Sequence, residues 1–151
     1  MRQIALIVED DPATCHVLAS TLASAGIESL FAESAAVMWQ QMAESPDVVI
    51  LDLGLPDADG FELLRRLRQQ SDVPVLIHST RSEEIERIIG IEIGADDFLP
   101  KPCNMRELLA RVRSLLRRAK GRPSLMGGRP GCRLHFGDWC LDRATRVLTN
   151  K

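Results

Sequence analysis

The sequence predicts an α/β protein built on an open parallel sheet with helices on both faces, and three observations carry that expectation. Through residue 118, short apolar runs alternate with amphipathic stretches, which is the signature of consecutive βα units. The apolar runs are nearly continuous, as strands covered on both faces require. Acidic, hydroxyl and basic residues gather just after these runs, where open α/β sheets place their function.

Ile4-Ala5-Leu6-Ile7-Val8 predicts the first strand. Asp11-Pro12 then supplies an N-cap and a first-turn proline. Cys15, Leu18, Leu22 and Ala25 follow at helical spacing, and Gly26 stops the helix. Ile27 to Phe31 predicts a second strand, after which Ser34 caps a helix carrying Ala35, Met38 and Met42 on one face. Val48-Val49-Ile50-Leu51 is the third strand and ends in Asp52. The stretch from Gly54 to Gly60 is loop, and Phe61, Leu64 and Leu67 mark a third helix. Val73-Pro74-Val75-Leu76-Ile77 makes the fourth strand, with its proline at the start, where a missing N–H is tolerated. Ile85, Ile88, Ile89 and Ile93 are expected to be the buried face of a fourth helix ending at Gly94, with Arg87 and Ile91 away from it. Asp97-Phe98-Leu99 is a short fifth strand. Asn104 with Glu107 forms an expected capping box opening a fifth helix, whose core face is Leu108, Val112, Leu115 and Leu116. Five such units imply a doubly wound sheet with right-handed crossovers and the flavodoxin-like strand order 2-1-3-4-5.

Residues 1–118 therefore read as one domain, and 119–131, rich in Lys, Arg, Gly and Pro, as a linker. Residues 132–151 hold two short strand-like runs, Leu134 to Leu141 and Arg146 to Asn150, which predict a β-hairpin. A lone hairpin is marginal in water, so this segment is expected to open a second domain. The net charge of −2 hides an asymmetry: nearly all acids precede residue 110, whereas Arg106 to Arg122 is strongly basic. No run of eighteen apolar residues and no charged-then-apolar N-terminus is present, which predicts a cytoplasmic protein without a membrane span. Cys15, Cys103, Cys132 and Cys140 lack CxxC spacing, so ordinary thiols are expected rather than disulfides or zinc ligands. His78 adjoins Ser79, but alternation turns it to the opposite face, where an inert histidine is expected.

At the carboxyl ends of the strands stand Glu9-Asp10-Asp11, Asp52, Ser79-Thr80 and Lys101-Pro102. Asp11 is accounted for as a helix cap. The remaining carboxylates repel one another, by roughly 4 kcal/mol per pair at about 4 Å and an effective dielectric near 20. A divalent cation resolves this, and magnesium suits best because it accepts one or two carboxylates while keeping waters and phosphate oxygens. A carboxylate beside a metal and a lysine is equipped to attack a phosphoryl group and form an acyl phosphate.

Val8-Glu9-Asp10, Leu51-Asp52-Leu53-Gly54-Leu55-Pro56, Gly60, Ser79, Gly94-Ala95-Asp96-Asp97-Phe98 and Lys101-Pro102, at these spacings, resemble the response-regulator receiver family throughout residues 1–118. The resemblance implies that Asp52 is the phosphoacceptor, served by a sensor histidine kinase. It implies that Asp10 holds magnesium directly, Glu9 through water, and Gly54 through its backbone carbonyl, with Asp52 also a ligand. Ser79, with Thr80 beside it, and Lys101 would sense the phosphoryl group, Phe98 would be the switching aromatic, and the bond before Pro102 would be cis. Phe98 stands where Tyr is common, so it brings no hydroxyl, and Thr80 stands where a smaller residue is typical.

The basic fifth helix and the tail are similar to the OmpR/PhoB type, whose active receivers dimerise through the fourth helix, fifth strand and fifth helix. That resemblance implies intersubunit pairs Arg87–Glu107, Asp97–Arg111, Glu92–Arg113 and Asp96–Arg118 around Ile91 and Leu109. It also implies that residues 132–151 are the first strands of a winged-helix DNA-binding domain. A phosphatase of the haloacid-dehalogenase type would need a second acid two residues after the nucleophile, where Gly54 stands. A dinucleotide-binding module would need a glycine-rich loop after the first strand. A non-enzymatic phosphoacceptor is therefore expected, the alternative being a stand-alone receiver that signals by protein contact.

Overall fold

The computed structural model describes residues 2–120 with their side chains and, beyond them, the backbone of residues 133–136, 139–142 and 147–150. Five βα units follow in order: β1 (Gln3–Val8), α1 (Pro12–Ala23), β2 (Ile27–Ala32), α2 (Ala35–Gln41), β3 (Val48–Leu51), α3 (Gly60–Gln70), β4 (Val75–Ser79), α4 (Glu84–Ile93), β5 (Asp97–Pro100) and α5 (Met105–Lys120). The strands are all parallel in the order β2-β1-β3-β4-β5, as the apolar runs predict.

Alternation along the strands sorts their side chains into two cores. Leu6, Val8, Val49, Leu51, Val75 and Ile77 face α2, α3 and α4 and pack with Met38, Leu64, Leu67 and Phe98. Ala5, Ile7, Val48, Ile50, Leu76 and Leu99 face α1 and α5 and pack with Leu18, Leu22, Leu108, Val112 and Leu115. Truncating such a fully enclosed leucine to alanine costs about 2–5 kcal/mol, so these two layers fix the sheet on which the strand ends are carried.

The helix starts follow local chemistry. Asp11 caps α1 by accepting from Thr14 N at 3.1 Å, and Ser34 caps α2 by accepting from Val37 N at 3.2 Å. Asp57, from the loop after β3, adds a second cap to α2 by accepting from Ala35 N at 2.8 Å and Ala36 N at 3.1 Å. Asn104 caps α5 through Arg106 N at 2.8 Å. The expected reciprocal arm of a capping box is not what Glu107 does: its carboxylate accepts from Arg111, one turn on, at 2.9 Å.

The expected face of α4 is also corrected. Ile85 and Ile88 are exposed, at 59% and 46%, while Ile89 and Ile93 pack against the core and Gly90 is the buried residue. Five isoleucines between 85 and 93 cover more than one face, so spacing alone is ambiguous. Gly90 decides it, because any Cβ there would lie 2.8 Å from Ile77 Cδ1.

The expected linker lies outside the described residues from 121 onward. In the tail, β6 (Arg133–Phe136), β7 (Trp139–Asp142) and β8 (Val147–Asn150) form an antiparallel sheet in that order. The run expected as one strand over 134–141 is thus two, with Phe136 opposite Trp139 in register. Among the described residues no helix is long and apolar enough to cross a membrane.

Candidate functional site

Parallel register brings the chemistry together. Val8 pairs with Leu51 and Leu51 with Ile77, so the chain leaves β1, β3 and β4 on one edge. Glu9 and Asp52 are the residues immediately after β1 and β3, and both are buried, whereas Asp10 is exposed. One carboxylate oxygen from each of Glu9, Asp10 and Asp52 lies within 4.8 Å of the others. Lys101 crosses this cluster, with Nζ 2.6 Å from Glu9 Oε2 and 3.5 Å from Asp52 Oδ2. The Lys101–Pro102 peptide bond is cis, and Lys101 N donates to Ser79 O at 2.9 Å, tying the lysine's loop to the end of β4.

The electrostatics are lopsided. Burial raises the Glu9 pKa above the ordinary carboxylate value, the Lys101 hydrogen bond pulls it back, and the Asp52 charge raises it again. Burial alone would lower Lys101, but its hydrogen bond to Glu9 and the charges of Asp52 and Glu9 outweigh that and hold its pKa above the usual value. One ammonium thus pairs with two buried carboxylates while a third lies close by. A small divalent cation fits this oxygen-only, under-neutralised donor set.

The acceptor loop is braced on both sides. Gly54 N points at Asp52 Oδ1 at 3.4 Å, Gly54 bridges to Asp59, and Asp59 caps α3 through Phe61 N at 3.1 Å. Gly60 sits so tightly that a Cβ there would run into Leu53 Cα. Across the rim, Arg81 pairs with Glu86 at 3.0 Å and Asp59 at 3.4 Å, and its guanidinium lies over the Phe61 ring. Ser79 is buried, and its Oγ accepts from Arg81 N at 3.1 Å, while Thr80 is exposed. Phe98 is 6% exposed, packed inward near Gly90.

The residues expected on the output face are distributed as follows. Arg87, Ile91, Glu92, Glu107, Arg113 and Arg118 are exposed. Ile91 shares its face with Ile88, and Leu109 packs partly against the α1/α5 core, away from that patch. Arg111 is engaged within the chain, with Asp97 at 3.0 Å and Glu107 at 2.9 Å. Asp96 is held by Arg68 at 2.8 Å and by Val75 N at 2.9 Å. Arg68, Asp57 and Arg81 were not legible as site or brace residues. Arg68 reaches Asp96 across 28 positions, Asp57 reaches α2 across 21–22, and Arg81 reaches Asp59 across 22 besides Glu86 five residues on; nothing in local spacing marks the long contacts.

Comparisons with known proteins agree with this architecture. The profile of the response regulator receiver domain matches residues 5–113. The transcriptional regulatory protein AruR of Pseudomonas aeruginosa is 38% identical over 149 residues, covering 95% of this chain and 61% of that protein. The KDP operon transcriptional regulatory protein KdpE of Escherichia coli K12 is 42% identical over 144 residues, covering 95% of this chain and 62% of that one. The chain therefore spans a little over three fifths of the length of these relatives. Among solved structures, the receiver domain of the TMAO respiratory system response regulator TorR superposes with a TM-score of 0.73 at 40% identity, covering 78% of this chain and 98% of that one. The BeF3-activated receiver of RstA from Klebsiella pneumoniae matches with a TM-score of 0.73 at 32% identity, covering 76% and 99%. The sheet order, the acidic edge with its lysine and these matches lead to one conclusion: the chain belongs to the response-regulator receiver family, in its OmpR/PhoB-type branch.

Proposed function

We propose that this chain accepts a phosphoryl group on Asp52 from a sensor histidine kinase in the cytoplasm and passes the signal on by dimerising. The observation that carries the reading is the trio Glu9, Asp10 and Asp52 with Lys101 across it. Asp10, Asp52 and the Gly54 carbonyl would hold magnesium, with Glu9 acting through water, and the ion supplies charge stabilisation to the phosphoryl oxygens. A carboxylate oxygen of Asp52 attacks phosphorus, the bond from phosphorus to the donor's imidazole nitrogen breaks, and the imidazole leaves with the electron pair and takes up a proton. Lys101 shifts its hydrogen bond from Glu9 to the incoming charge, and Ser79 donates to a phosphoryl oxygen. The chain catalyses at most its own phosphorylation and dephosphorylation.

Phosphorylation drives a change only if the phosphoryl group favours one arrangement over the other. Ser79 and Phe98 are the sensing residues, and the α4-β5-α5 face is the output. Arg111 must exchange its partners within the chain for Asp97 of a second copy, and exposed pairs contribute only about 0–1 kcal/mol each, so the Ile88 and Ile91 patch has to contribute as well. Residues 132–151 are the first strands of a winged-helix effector domain, through which the whole protein reads DNA.

The test is incubation with magnesium and a small acyl phosphate, followed by intact mass. One added phosphoryl group is expected, and none on Asp52→Asn; a normal adduct on that variant overturns the assignment. Sedimentation with an acyl-phosphate mimic should give a dimer that Arg111→Glu abolishes, with phosphorylation of Asp52 intact. A monomer in both states points instead to a stand-alone receiver.

A further inference from the structure

His78 and Cys103 are brought together by the fold alone, 25 positions apart, and neither takes part in the chemistry proposed above. His78 is 3% exposed at the end of β4, and its Nε2 lies 3.4 Å from Cys103 Sγ. Its Nδ1, the ring nitrogen away from Cys103, has no hydrogen-bond partner among the described residues. A buried ring nitrogen left unsatisfied costs about 1–3 kcal/mol, a penalty an apolar residue would not incur at this place in the strand. Cys103 is half-buried, so its sulfur is within reach of small solutes.

Two chemistries suit a thiol against an imidazole. Proton transfer to give thiolate and imidazolium is opposed on both sides. Burial and the Lys101 charge hold His78 far below its usual value, and burial together with Glu107 pushes the Cys103 thiol up. Coordination has the opposite requirement, a neutral imidazole and a thiolate whose charge the ion itself cancels. With bonds of about 2.0–2.1 Å to imidazole nitrogen and about 2.3 Å to thiolate sulfur, an ion held in line between the two atoms sets them roughly 4.3 Å apart, so the half-buried Cys103 has to turn its sulfur outward from the 3.4 Å contact to admit it.

Charge selects the class of ion. Lys101 is felt electrostatically at both His78 and Cys103. A divalent ion on a single thiolate would leave net positive charge in an apolar layer beside that ammonium, whereas a monovalent ion on a thiolate is neutral. Sulfur and imidazole donors, with no carboxylate among them, suit soft ions that accept few ligands.

We infer that His78 and Cys103 form a binding site for a single soft monovalent cation, copper(I) or silver(I). Binding exchanges the thiol proton for the ion, releasing one proton per ion. His78 directly precedes Ser79, and Cys103 follows Lys101 by two residues, so a bound ion joins the two segments that carry the phosphoryl-sensing groups. A consequence, which rests on the roles proposed for those groups, is that the loaded chain accepts a phosphoryl group more slowly.

The experiment uses the 151-residue chain with Cys15, Cys132 and Cys140 replaced by serine, titrated with silver(I) in chloride-free buffer. One equivalent should be retained on dialysis, with new near-ultraviolet absorption and one proton released. Cys103→Ser should abolish retention, and His78→Leu, which keeps an apolar residue in the core and whose fold is checked by circular dichroism, should weaken it at least tenfold. Asp52→Asn should bind silver like the parent, which separates this site from the phosphoacceptor reading. No retained ion, or unchanged affinity in His78→Leu, overturns the site. Equal rates of acyl-phosphate uptake with and without silver overturn the coupling.

Discussion

At the carboxyl edge of the sheet one ammonium, Lys101, faces the buried Glu9 and Asp52, with Asp10 close by. At the amino edge the guanidinium of Arg68 pairs with Asp96 at 2.8 Å and also donates to the carbonyls of Gly94 at 2.7 Å and Val73 at 2.6 Å. Asp96 in turn accepts from Val75 N. The same ingredients, partly buried charges at loop junctions, are paired at one end and under-neutralised at the other. The balanced end ties the C-terminus of α3 to the starts of β4 and β5 and does mechanical work. The unbalanced end carries an unmet demand for positive charge, which the cation proposed for this site would meet.

The contrast can be broken at either end. The largest effect is expected at the amino edge. Arg68→Met should destabilise the fold by about 3–5 kcal/mol, because it strands a largely buried carboxylate and two carbonyls. Urea unfolding measures this, and a loss under about 1 kcal/mol would mean that Arg68 is no brace.

Next in size is an acid-side loss of stability from the histidine layered behind the carboxyl edge. Burial, then the Lys101 charge, partly offset by Asp52, lower the His78 pKa from 6.5 to about 4. Between those values the unfolded chain takes up a proton that the fold refuses. Stability is therefore full above pH 6.5 and falls as the pH drops toward 4, by about 3 kcal/mol in all. His78→Leu should flatten that limb, leaving the losses below pH 3.8, where the lowered pKa values of Asp11 and Asp57 take effect. Denaturant midpoints across the pH range decide it, and parallel curves for the two chains would contradict the assignment.

The smallest effect sharpens the lopsidedness itself. Asp10→Ala should leave stability without magnesium unchanged or raise it by up to about 1 kcal/mol, since an exposed like charge is removed. The same variant should bind magnesium more weakly in a calorimetric titration. Unchanged affinity would remove Asp10 from the ligand set.

Most of the fold was legible because buried parallel strands leave near-continuous apolar runs, and Ile4 to Val8 or Val48 to Leu51 admit little else. Glu9, Asp52 and Lys101 were legible for a related reason: each stands where such a run stops or just beyond it. The faces of α4 were not, because Ile85, Ile88, Ile89, Ile91 and Ile93 satisfy several helical stripes at once, and the glycine that breaks the tie carries no hydrophobic signal. The partner of Glu107 was missed because a cap and an i,i+4 pair compete for one carboxylate, and the geometry of Arg111 settles it. Asp96 and Arg68 meet only after α3, β4 and α4 are in place, so their contact is a product of the fold and has no local signature.

The contact between Gly60 and Leu53 restricts how this lineage of sequences can drift. A Cβ at position 60 would meet Leu53 Cα itself, which cannot yield by changing rotamer, so even alanine would displace the residue next to Asp52. In a library of random variants selected only for folding, position 60 should come back as glycine, with no pressure on phosphorylation applied. Thr80, exposed on the rim of the same site, should come back as a broad mixture. Folding alone thus leaves the rim residue free while it holds the turn that follows Asp52 to glycine.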